Sequence, residues 1–240
     1  YALTGSTFIA AALLLSACGR QEPPAPPPEA SAEPPAAAAP AAAAAAEQTS
    51  ARYTVPVEYR KLDNGLKVVV SVDRTAPLAT VAVYYHTGLR NEPKGRTGFA
   101  HLFEHMMFEG SENLPKGEFD RLITGNGGGL NGSTRMDFTN YFETVPVHML
   151  EPTLWAEADR MARLDVSQES LDNQIAVVSN EVRRNVLNRP YGGFPWLDMP
   201  QYANENWYNA HNFYGDLADL EAATLEDVQA FYDTFYAPNN

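Results

Sequence analysis

Residues 19–51 hold eight of the eighteen prolines and fourteen alanines, with Pro23-Pro24 and Pro26-Pro27-Pro28 early and the run Ala41 to Ala46 late. No core can be built from such a stretch, because proline removes backbone donors and alanine buries almost nothing. Proline-rich sequence extends as polyproline II, so residues 18–51 read as a semi-rigid spacer. Any packed core is therefore confined to residues 52–240, which are long enough for one domain with a buried interior. The formal charge is −13, from 17 basic and 30 acidic residues. One arginine and four glutamates lie in residues 1–51, so −10 belongs to the remainder. A nucleic-acid binder clusters Lys and Arg against phosphates, and this balance argues against one. The single cysteine, Cys18, excludes an intrachain disulfide and a four-thiolate zinc site. A metal site here rests on histidines and carboxylates.

Residues 1–19 carry no charge, and Phe8 to Leu15 form an apolar run too short to span a bilayer. It has the length of a signal-peptide apolar region, without the basic start or initiator Met, so residues 1–17 are expected to be an N-terminally incomplete leader. Leu15-Ser16-Ala17-Cys18 resembles a bacterial lipoprotein lipobox. That resemblance implies cleavage before Cys18 and a membrane anchor through lipid on its sulfur, since each buried CH₂ contributes about 0.8 kcal/mol. Gly19 after the cysteine implies sorting to the outer membrane, with the soluble part facing the periplasm.

Beyond residue 52, Asn64-Gly65 precedes Val68-Val69-Val70 and signals a two-residue hairpin. A strand is expected at Ala79–His86, a loop at Gly88–Gly95, and helices over Thr97–Glu109 and Phe119–Ile123. The glycine cluster 125–129 ends the second helix, and Phe138–Val145 is β-rich. The order thus begins β-β-α-α-β-β. Later, Leu154, Trp155, Ala158, Met161 and Ala162 share one helical face, and Leu171, Ile175, Val178 and Val182 share another. Thr224 and Asp227 fit a capping box before a stripe of Leu225, Val228, Tyr232 and Phe235. Strands followed by grouped helices indicate an α+β fold, an antiparallel or mixed sheet packed by helices. Tyr236-Ala-Pro-Asn-Asn240 is turn-like, where a further strand is expected to begin.

The sharpest chemical feature is His101-Leu-Phe-Glu104-His105. On a helix the two histidines lie about 40° apart and Glu104 about 60° from His101 on the other side, so all three share one arc. Neutral imidazoles ligate zinc, and a nearby carboxylate can take a proton from a water that zinc has acidified. The order His-x-x-Glu-His occurs in zinc peptidases as the inverse of the commoner one. Spacing leaves the third ligand open among many carboxylates and His86, His148 and His211, each of which reads more readily as solvated or structural. Trp155, Trp196 and Trp207 read as packing residues, and no phosphate-cradling glycine loop is present.

The stretch Arg90 to Gly110 is similar to the zinc-site region of the M16 (pitrilysin/insulinase-like) metallopeptidases. The likeness continues through Asn126-Gly-Gly, Asn131, Asp137, Thr139, Tyr141 to Pro146, Glu157 to Met161 and Asn185 to Gly192, covering residues 55–240. It implies an M16-like (LuxS/metalloproteinase-like) N-terminal domain over residues 52–240, cut short at its C-terminus. It further implies one zinc ion held by His101, His105 and Glu181, with Glu104 as general base. Glu181 enters by this likeness alone, through Val177-Val-Ser-Asn-Glu181. A peptide substrate would pair as an added strand around Asn131 and Gly132, where the family commonly has Ala after the Asn. Gln174 stands where the family often has a glutamate supporting the site, so tuning of the metal through its neighbours is expected to be weaker. The implied activity is zinc-dependent endopeptidase action on peptides or unfolded segments, helped by a second M16-like domain or subunit. The rival is a non-catalytic binding or partner subunit.

Overall fold

The Asn-Gly signal makes a hairpin of a different type from the one expected. Strands β1 (Glu58–Lys61) and β2 (Lys67–Val70) pair antiparallel with Lys61 opposite Lys67. The Leu62 N–H donates to the Leu66 carbonyl at 2.8 Å, closing a loop of Asp63, Asn64 and Gly65. A two-residue type I′ turn needs positive φ at both central residues, but only Gly65 adopts it here, at +92°. Asn64 instead accepts the Leu66 N–H through its side chain at 3.1 Å. The computed structural model describes residues 54–195 and 197–240. The expected leader, Cys18, the spacer and Trp196 lie outside the described residues.

The main sheet joins β3 (Leu78–Tyr85), β4 (Gly129–Thr134) and β5 (Thr139–Pro146) in the order β3-β5-β4, all antiparallel. Three strands, not two, thus precede the first helix. The described residues form eight α-helices: α1 (Phe99–Met106) and α2 (Glu118–Thr124) between β3 and β4, then α3 (Leu150–Arg163), α4 (Gln168–Val182), α5 (Asp198–Ala203), α6 (Trp207–Ala210), α7 (Leu217–Glu221) and α8 (Leu225–Phe235). The architecture is α+β, as expected. None of the described helices is long and apolar enough to cross a membrane.

Helix α1 is the centre of the core, with six of its eight residues buried. Phe103 stacks on Phe231 of α8 at 4.9 Å between centroids, and its carbonyl accepts the Tyr141 hydroxyl of β5 at 3.2 Å. From α4, Leu171, Val178 and Val182 join the same cluster, with Ile175 packed at its margin, so the expected stripe faces inward. Helix α8 begins as the capping box requires. Thr224 Oγ1 accepts the Asp227 N–H at 3.2 Å, and Asp227 Oδ2 accepts the Thr224 N–H at 3.1 Å. Phe231 joins Val228 and Tyr232 on its buried face.

Helix α3 is turned the other way round from its apolar pattern. Leu154 and Trp155 are 51% and 50% exposed, while Thr153, Ala156, Glu157, Asp159 and Arg160 are buried. The cause is Arg160. Its guanidinium lies 4.2 Å from the Phe119 ring centre, 4.8 Å from Tyr141 and 5.4 Å from Phe108, and it donates to Glu143 on β5 at 3.0 Å and to Glu157 at 2.8 Å. Arginine can be enclosed in this way because its planar cation stacks on aromatic faces while it bonds carboxylates at its edge. A hydropathy count places Arg160 and Glu157 outside, so the pattern misjudges the buried face.

Candidate metal centre

Two elements that meet in the core supply the site. His101 and His105 occupy successive turns of α1, and their Nε2 atoms are 3.3 Å apart with the rings edge to face. Helix α4 packs against α1 and brings Glu181 opposite them. Glu181 Oε2 lies 3.3 Å from His105 Nε2 and 3.8 Å from His101 Nε2. Among the described residues, these three form the only His, Cys, Asp or Glu group able to place three ligand atoms within 4.8 Å of one another.

The donor set fits a zinc ion. Tetrahedral ligands at zinc–nitrogen and zinc–oxygen lengths of about 2.0–2.1 Å stand about 3.3–3.4 Å apart, close to the three separations found here. Burial pushes the His101 imidazole down to about 4, aided by His105 and opposed by Glu181, so the ring is neutral and offers a lone pair. Its Nδ1 is buried with no hydrogen-bond partner, which leaves Nε2 as the only polar contact of that ring. The hydrogen bond with His105 holds Glu181 below the usual carboxylate range, against the effect of burial. Neutral imidazole beside ionised carboxylate is what a divalent cation requires.

Glu104 sits on the same arc of α1 and faces β4. The Thr134 hydroxyl donates to its Oε2 at 2.5 Å. Burial raises its carboxyl above the usual range, opposed by that hydrogen bond. A Cβ built on Gly132 would lie 3.0 Å from Glu104 Cγ and 3.3 Å from its Oε1. Glycine at this position therefore leaves the carboxyl more room than alanine. Asn131 is exposed, on the opposite side of β4 from Gly132, and its Oδ1 accepts the Gly132 N–H at 2.9 Å. Strand β4 is an edge of the sheet, so Asn131 and Gly132 lie where an extended chain could be added.

The remaining histidines and Gln174 stand apart from the site. His86 and His148 are exposed. His211 pairs with Glu92, its side chain only 5% exposed. Gln174 does not reach Glu181, since seven residues of helix separate the two by about 10 Å. It donates instead to Glu109, a residue that also pairs with Lys116. An influence of Gln174 on the metal therefore has no direct contact to act through.

Two neighbours of the site escaped the sequence. Thr134 was legible in principle, because the alternation that turns Gly132 toward Glu104 turns Thr134 the same way. The Tyr214 ring lies edge-on to His101 at 5.0 Å. It comes from the irregular stretch before α7, and no periodicity points to it.

Comparison with known proteins gives a consistent result. The family described as Insulinase (Peptidase family M16) matches residues 67–191. A protein named zinc protease PqqE, from Helicobacter pylori, is 32% identical over 182 residues, covering 75% of this chain and 40% of that protein. Among solved structures, a protease from Helicobacter pylori superposes with a TM-score of 0.74 at 31% identity, over 78% of this chain and 45% of that one. The periplasmic protease PqqL from Escherichia coli shares the fold, with a TM-score of 0.67 at 20% identity over 76% of this chain and 21% of that one. The chain thus spans less than half the length of these relatives.

Proposed function

Because the chain belongs to the insulinase family of peptidases, family M16, we propose that it is the zinc-bearing domain of an endopeptidase that hydrolyses peptides or unfolded polypeptide segments. The observation that carries this reading is the convergence of His101, His105 and Glu181, with Glu104 beside them on the same helix. These three residues would hold zinc, which would supply a Lewis acid for the scissile carbonyl and lower the pKa of the attacking water. Glu104 accepts the proton of that water and passes it to the leaving amine, a role suited to a carboxyl whose proton affinity burial has raised. Thr134 holds that carboxyl toward β4. The open edge of β4 at Asn131 and Gly132 receives the substrate as an added strand, giving affinity through main-chain bonds with limited sequence preference.

In this reading residues 1–17 are a leader, Cys18 carries lipid, and residues 18–51 hold the catalytic part off the bacterial outer membrane on its periplasmic side. The lipobox-like sequence supports this. A second M16-like domain or subunit would form the opposite wall of the cleft. A second reading is a binding subunit without its own turnover. The two readings separate in one assay, with an unstructured fluorogenic peptide offered to protein stripped of metal and then reloaded. The endopeptidase reading expects hydrolysis that appears with one equivalent of zinc and disappears with a chelator. Peptide bound by zinc-loaded protein and left uncleaved is the outcome that favours the binding subunit.

A further inference from the structure

Helix α1 carries His101, Glu104 and His105, yet its first turn has no side-chain cap of its own. The residue before it, Gly98, has φ of +85° and no side chain to offer. A helix start leaves backbone N–H groups without intrahelical partners. Here a distant side chain takes two of them. Glu92 Oε2 accepts the Gly98 N–H at 3.0 Å and Oε1 accepts the Ala100 N–H at 2.9 Å, one residue short of His101. A carboxylate at that end also suits the positive pole of the helix.

Glu92 is fully enclosed, and its remaining partner is His211, whose Nε2 lies 3.0 Å from Oε2. The imidazole is fixed from its other side as well. Its Nδ1 is 3.1 Å from the Trp207 carbonyl, and the ring stacks on the Trp207 indole at 4.4 Å with an interplanar angle of 13°. The chain beyond His211 then folds along the start of α1. A Cβ on Gly215 would meet the Gly98 Cα at 2.4 Å, so only glycine permits the approach. Asp216 donates its N–H to Thr97 Oγ1 at 2.8 Å, and Thr97 donates to Asp219 through its N–H and its hydroxyl. Within the same segment the Tyr214 ring lies edge-on to His101 at 5.0 Å, and α7, which follows directly, packs against α4. One stretch of chain thus touches both helices of the metal centre, the start of α1 and the helix that carries Glu181.

We propose that the Glu92–His211 pair is a positioning device, which clamps the first turn of α1 to the 211–216 segment and so fixes the distance between the His101–His105 pair and Glu181. Neither residue touches the metal or the substrate. The zinc arm of the test rests on the metal reading above, whereas the amide arm does not.

The test compares H211A and H211Q with the parent chain. The glutamine amide keeps a donor toward Glu92, and alanine removes it. Zinc affinity is measured by competition with a chromophoric chelator, and amide hydrogen exchange of Gly98 and Ala100 is followed in zinc-free protein. H211A is expected to lower zinc affinity by about tenfold or more, in the range found for partners of metal ligands. Exchange at Gly98 and Ala100 should quicken by about tenfold while α8 amides keep their rates. H211Q should recover both to within about threefold of the parent. If H211A fails to fold, H211N takes its place, because its shorter amide stops short of Glu92. Parental zinc affinity and exchange in H211A or H211N would overturn the proposal, as would an H211Q no better than they are. A parent that takes up no zinc, with Gly98 and Ala100 still responding to the substitutions, would sink the metal reading and leave the clamp standing.

Discussion

Replacing Glu104 by Gln leaves zinc uptake unchanged and lowers peptide hydrolysis by about 10²- to 10⁴-fold, the usual contribution of a positioned general base. The amide has the same shape as the carboxyl and can still accept from Thr134, whose hydroxyl now bonds the Glu104 carboxyl at 2.5 Å. What it lacks is proton affinity. Ligand geometry at His101, His105 and Glu181 does not involve Glu104, so metal content separates a lost base from a lost site. The check is kcat on an unstructured peptide, with bound zinc measured on the same samples. A Glu104→Gln protein that cleaves at the parental rate removes Glu104 from the role assigned to it.

The second large effect is on stability. Arg160→Ala is expected to cost about 3–5 kcal/mol, because it removes the buried cation shared by Glu143 and Glu157 and leaves both side chains without its hydrogen bonds. Glu143 is fully buried, and burial together with Glu157 pushes its carboxyl up to about 9 even with Arg160 present. Without the guanidinium the two acids face each other, and the rings of Phe108, Phe119 and Tyr141 lose the group they enclose. Urea unfolding gives the figure directly. A loss below about 1 kcal/mol would show that the enclosed cation contributes little to holding α3 on the sheet.

What the sequence disclosed depended on whether an interaction was local. The arc of His101, Glu104 and His105 follows from helical geometry within five residues, and the structure keeps it. The Thr224–Asp227 cap is equally local, and so are the α4 and α8 stripes. Glu181 was legible only through likeness to a family, because no spacing rule links a carboxylate on one helix to imidazoles on another. Helix α3 failed for a different reason: its buried face is held by an arginine whose stacking and ion pairing outweigh the hydropathy of Leu154 and Trp155. The hairpin failed at a single dihedral, since Asn64 satisfies the Leu66 N–H from its side chain and never takes positive φ. Glu92 and His211 stand 119 residues apart, so their contact exists only once the chain has folded.

The central claim is that two imidazoles from successive turns of α1 and one carboxylate from α4 hold a single divalent ion. The most direct measurement is zinc uptake by metal-stripped protein, titrated to saturation in the parent and in Glu181→Ala and followed by elemental analysis. The account predicts one equivalent per chain in the parent and an affinity at least about 100-fold weaker in the variant. No uptake by the parent, or equal uptake by both proteins, would contradict it.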